Sequence, residues 1–121
     1  MIAFDTNYLL RHILQDDARQ CASVQSILDA QAEVLIMNLV IMETFWILQK
    51  VYRLNREGCC HVLESLLLDR AFKFENSGLL RRAMELYRAG KADFNDYFIL
   101  AQAEFLGADL KTFDKKLKQS L

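Results

Sequence analysis

Apolar residues alternate along the chain between two rhythms. Short runs at Ile2–Phe4, Val34–Met37, Ala71–Phe74 and Ala108–Leu110 each have the length of a strand. Between them, apolar positions recur every three to four residues. That spacing predicts helices near 6–15, 17–31, 39–54, 56–69, 78–90 and 94–106, with a short one from about 115. In the clearest helix, Leu39, Met42, Phe45, Trp46, Val51 and Tyr52 recur at helical spacing. In another, Leu79, Leu80, Ala83, Met84 and Tyr87 make one stripe beside Arg81, Arg82, Glu85 and Arg88. Strands separated by helices predict an α/β fold, with a parallel sheet covered on both faces. In such sheets ligands bind beyond the carboxyl ends of the strands.

The punctuation fits one domain over residues 1–121. There is no proline, and Gly58, Gly78, Gly90 and Gly107 fall where helical patterns begin or end. A chain of 121 residues leaves almost no room for a second domain, yet it is long enough to bury a core without disulfide or structural metal. Hydrophobic residues reach 53%, above the usual share, which points to a subunit or partner interface beyond the core.

Charge changes the picture less. The net charge is −1 and the pI about 6.1, so bulk charge does not advertise nucleic-acid binding. RNA contact would rest on local basic groups: Lys50, Arg53 and Arg56; Arg81, Arg82, Arg88 and Lys91; or Lys111, Lys115, Lys116 and Lys118. Each cluster also reads as an ordinary solvated face. Cys21, Cys59 and Cys60 are odd in number and lack CxxC spacing, as expected of free thiols in a reducing compartment. His12 and His61 form no zinc-binding pattern. No basic leader precedes an apolar core at the N-terminus, and no apolar run is long enough to span a bilayer, so a cytoplasmic, membrane-free protein is expected.

Candidate chemistry lies in the acids. Asp5 follows the first predicted strand and Asp114 the last, which places both at the carboxyl edge of the sheet. Each also suits a helix N-cap. Asp93 and Asp96 open a helix at N-cap and N3 spacing, where the helix dipole favours acids. Glu43 has Leu39, Val40, Trp46 and Ile47 three and four residues away, so it is expected on or beside a buried stripe. A buried carboxylate neutralises or finds a cation. The alternatives are a salt bridge or a place at the stripe's edge. If these acids converge, their repulsion calls for a divalent cation, and hard oxygen ligands select Mg²⁺ or Mn²⁺. One or two such ions suit phosphodiester hydrolysis.

These motifs together resemble a known family. Ile2-Ala3-Phe4-Asp5-Thr6-Asn7-Tyr8-Leu9-Leu10 is similar to the opening of PIN domains, in particular VapC-type toxins of toxin–antitoxin pairs. Glu43, Asp93-Phe94-Asn95-Asp96 and Thr112-Phe113-Asp114 resemble the family's later acidic motifs, in order, from residue 2 to about 117. The resemblance implies a PIN-like three-layer α/β/α fold with a central parallel sheet of four to five strands. It implies an Mg²⁺- or Mn²⁺-dependent endoribonuclease whose acidic set is Asp5, Glu43, Asp96 and Asp114. Asp93 would be an outer member or the cap that orients Asp96, and Thr6, Asn7 and Thr112 would be polar supports. It further implies an RNA substrate, a VapB-like antitoxin, and a homodimer or higher homo-oligomer. Asn38 departs from the serine of many relatives, and the short tail after Asp114 predicts a short or missing final edge strand. Two alternatives stand beside the toxin: a PIN nuclease of RNA processing or quality control, and an inactive PIN-like module that binds RNA or protein. Aspartyl phosphatases and P-loop enzymes fit worse, because Asn7 stands where the former need a second Asp and no Gly-rich Lys-Ser or Lys-Thr loop exists.

Overall fold

A computed structural model describes residues 1–121. The elements run β1 (Ile2–Ala3), α1 (Thr6–Leu14), α2 (Ala18–Asp29), β2 (Val34–Ile36), α3 (Asn38–Lys50), α4 (Arg56–Leu68), β3 (Phe72–Phe74), α5 (Ser77–Ala89), α6 (Phe94–Phe105) and α7 (Lys115–Lys118). Most helices begin where a short polar side chain accepts a hydrogen bond from a first-turn amide. Asp17 accepts from Gln20 N at 2.9 Å, Asn55 from Gly58 N at 2.7 Å and Asn76 from Leu79 N at 3.0 Å.

The sheet is parallel, in the order β1-β2-β3, with Ile2 opposite Val34, and Val34, Leu35 and Ile36 opposite Phe72, Lys73 and Phe74. The register divides its faces. Val34, Ile36 and Phe72 are buried, whereas Ala3 and Lys73 are exposed and Leu35 half-buried, so cover is much thicker on one side.

Three strands stand where four to five were expected. Residues 108–110 make no strand: Ala108 and Asp109 are exposed and only Leu110 packs against the core. One half-buried side chain gives an edge strand too little apolar burial to offset the ordering of its backbone. The helix-rich α/β architecture itself stands as the sequence predicted.

The reading of α3 also needs correction. Its buried residues are Val40, Ile41, Thr44, Phe45 and Leu48, while Leu39 (67% exposed), Trp46 (53%), Val51 and Tyr52 face out. The helix is apolar nearly all round, so period alone did not choose its inner face. Phe45 then carries α3 into an aromatic cluster. It stacks on Phe94 at 3.8 Å between ring centroids, and Tyr87 meets both rings edge-on at 5.6 and 5.7 Å. This cluster lies beneath the start of α6, where Asp93 and Asp96 sit.

Candidate active site

Asp5 ends the segment after β1 and caps α1, its Oδ1 accepting from Tyr8 N at 2.9 Å. It lines a depression of about 310 Å³ between α1 and α2, with Asn7, Arg11, Gln20 and Ser23. Thr6 is the first residue of α1. Asp114 follows an extended segment rather than a strand and caps α7, accepting from Leu117 N at 2.9 Å. Thr112 Oγ1 accepts from Asp114 N at 3.1 Å, which fixes the backbone that presents this acid. Both acids thus cap a helix, but only Asp5 follows a strand of the sheet.

Asp93 and Asp96 behave differently from caps. Asp93 stands at the N-cap of α6 but its side chain makes no capping hydrogen bond. Asp96 is half-buried, and burial pushes its carboxyl above the ordinary value of 3.8. A backbone hydrogen bond from Asp93 opposes that shift, while the charges of Asp114 and Asp93 reinforce it. The structure thus brings Asp93, Asp96 and Asp114 into one electrostatic neighbourhood, to which Asp5 and Glu43 make no such contribution.

Glu43 is exposed, contrary to the expectation of a buried stripe. Its apolar neighbours Leu39 and Trp46 are exposed with it, so it incurs no burial cost. It lines a second depression of about 310 Å³ with Leu39, Met42, Trp46, Ile47 and Asn95. A narrower one of about 70 Å³ holds Asp93, Asp96, Gln49 and Lys50, and again Trp46 and Asn95. Those two residues form the ridge between Glu43 and the α6 acids. Sequence reading assigned neither of them a role at the site.

No three His, Cys, Asp or Glu side chains stand close enough together to cage a metal ion. The expected convergence of all four acids is therefore not a closed cluster. Asp5 and Asp114 are turned towards the amides they cap. The donor chemistry nonetheless suits a hard cation. The acids supply oxygen only, and Asn95 Oδ1, in the depressions of Glu43 and of Asp93 and Asp96, is buried without a hydrogen-bond partner.

The basic clusters resolve unevenly. Arg88 is held by Glu57 at 2.9 Å and by Glu64, and Arg82 by Glu85 at 2.7 Å and Glu104 at 3.3 Å. Arg56 turns inward. Its guanidinium donates to Ala92 O at 2.9 Å, Gly90 O at 3.0 Å and Tyr87 O, and lies 3.7 Å above the Tyr87 ring. It fastens the turn that delivers Asp93. Lys50, beside the α6 acids, makes no ion pair within 4 Å.

A family model described as the PIN domain matches residues 2–120. The chain belongs to the PIN-domain family. Among solved structures it is similar to the Mycobacterium tuberculosis toxin VapC20, described as cleaving the Sarcin-Ricin loop, at 18% identity and a TM-score of 0.46, with 99% of this chain and 95% of that one covered. No curated protein sequence matches it. In this PIN domain no helix is long and apolar enough to cross a membrane, and Cys21, Cys59 and Cys60 are free thiols, as expected.

The Asp96 shift has a measurable consequence. Because its folded-state pKa is raised, its contribution to stability is fully present below about 3.8, the unfolded value, and is lost as pH rises through the folded value. If Asp96 ligates a cation, that binding needs the ionised form and runs the other way. Mn²⁺ affinity, followed by calorimetry, is expected to fall on acidification while the pH is still above 3.8. The Asp96→Asn variant should lack that component. Parent affinity that stays flat down to 3.8 would contradict the assignment.

Proposed function

We propose that this PIN domain is a divalent-cation-dependent endoribonuclease of the VapC toxin type. The observation that carries the reading is Asp96, half-buried beside Asp93 and Asp114 at the start of α6. A fold gains nothing by gathering carboxylates that repel one another, but a phosphodiester hydrolase does. In this reading Asp5, Glu43, Asp96 and Asp114 are the acidic set that holds Mg²⁺ or Mn²⁺. Asp93 flanks it, and Thr6, Asn7 and Thr112 steady the backbone and the approach. When bound, the cation lowers the pKa of water and offsets charge on the leaving oxygen. The chain's own share is positional. Asp5 and Asp114 are fixed by their caps, Asp96 is fixed by α6, and Glu43 faces the open depression.

The toxin reading brings an RNA substrate, a VapB-like antitoxin and a homodimer or higher homo-oligomer in the cytoplasm. Exposed Leu68, Phe105, Leu106 and Phe113 (98%) offer apolar surface for such partners.

The test is cleavage of a mixed RNA panel by purified, antitoxin-free protein with Mg²⁺, Mn²⁺ or chelator. Cutting is expected with either metal, through every chromatographic fraction that holds the protein, and none in chelator. Equal cutting in chelator would overturn the metal reading, and no cutting of any RNA would favour a PIN-like binding module.

A further inference from the structure

Trp46 is the chain's single tryptophan, and 53% of it is exposed. It projects from the ridge between the depression of Glu43 and that of Asp93 and Asp96. The exposure is not forced by the helix, because α3 buries five other residues including Phe45 next to it. An indole left in water costs apolar hydration that burial would remove. Its surroundings show what would cover it. Lys50, one turn further along α3, is exposed and without an ion pair within 4 Å. Asn95 lines both depressions, and its Oδ1 is buried without a partner.

We propose that Trp46 is a stacking platform for an unpaired base of single-stranded RNA, which holds the strand across the acids. A flat aromatic face, an amide and a free cation are the three groups that a nucleotide's base plane, base edge and phosphate require. Polar groups share both depressions with the indole, Glu43 and Asn95 in one and Gln49, Lys50, Asp93 and Asp96 in the other, which a nucleotide satisfies better than an apolar protein face. The inference rests on the ribonuclease reading of the site, but it is tested by binding and so can fail separately.

The fluorescence of Trp46 reports its own surroundings, since no other indole contributes. In chelator, a short mixed-sequence single-stranded RNA is expected to quench it, whereas the same RNA annealed to its complement is not. Trp46→Ala should weaken binding of that RNA about tenfold to a hundredfold, the range of a lost base–aromatic stack, and Trp46→Phe should recover most of it. In cleavage, the loss should fall on KM more than on kcat, with the thermal midpoint unchanged because the side chain is half exposed. Quenching without any cleavage would uphold the platform and sink the nuclease. Cleavage with no quenching and an unaltered KM in Trp46→Ala would sink the platform alone. An emission blue shift that grows with protein concentration in the absence of RNA would overturn it in favour of a second copy covering this face.

Discussion

Asp96→Asn is expected to lower RNA cleavage by on the order of 10²-fold or more while raising the thermal midpoint of the cation-free protein. The activity loss is at least that produced by disturbing an outer-sphere partner of a metal ligand, and Asp96 is proposed as a ligand itself. The gain in stability follows from its electrostatics. Burial already pushes the carboxyl up, and Asp114 and Asp93 add repulsion, so the ionised form is held in the fold against its preference. Asparagine keeps the shape and removes the charge. Residues placed for chemistry commonly cost stability in this way. The two readouts separate role from collapse: a variant that lost activity through misfolding would melt lower. Lower melting, or retained cleavage, would remove Asp96 from the site.

Asp5 and Asp114 need a different variant, because each also caps a helix. Asparagine caps as well as aspartate, so Asn isolates the charge, while Ala loses about 1 kcal/mol of cap besides. The capping reading of these acids, open in the sequence beside the functional one, holds in the structure. Helix positions were legible from the apolar period, and the structure adds Asp17, Asn55 and Asn76 as the caps that begin three of them.

Other features depended on which side of an element faces inward. Glu43 was expected on or beside a buried stripe that included Trp46 because α3 offers apolar residues in nearly every direction, and its packing against α1, α4 and α6, with Phe45 on Phe94, decides its rotation. The edge strand at 108–110 failed on burial that its three residues do not reveal. Arg56 looked like one more surface cation. Its three carbonyl acceptors come from residues 87–92, more than thirty positions away, where no local pattern announces them.

That clamp supports the second large effect. Gly90→Ala is expected to destabilise the fold by about 3 kcal/mol, the upper part of the overpacking range. A methyl there would stand 1.7 Å from Tyr97 Oη and 2.5 Å from its Cζ. Tyr97 has little freedom to withdraw, since it is fully buried and its Oη accepts from Ala92 N at 3.1 Å. Arg56→Ala should cost about as much, because it removes the donors that hold the same turn and leaves partly buried carbonyls unpaired. Lysine at position 56 should not rescue it, as a single ammonium cannot reproduce a planar fork beneath which Tyr87 also stacks. Urea unfolding measures both variants. In a double-mutant cycle Gly90→Ala and Tyr97→Phe should couple favourably, since the phenyl ring removes the closest clashing atom. A Gly90→Ala protein as stable as the parent would mean that the α5–α6 turn is free to move. Asp93 and Asp96 would then lack the rigid mount that the α6 site requires.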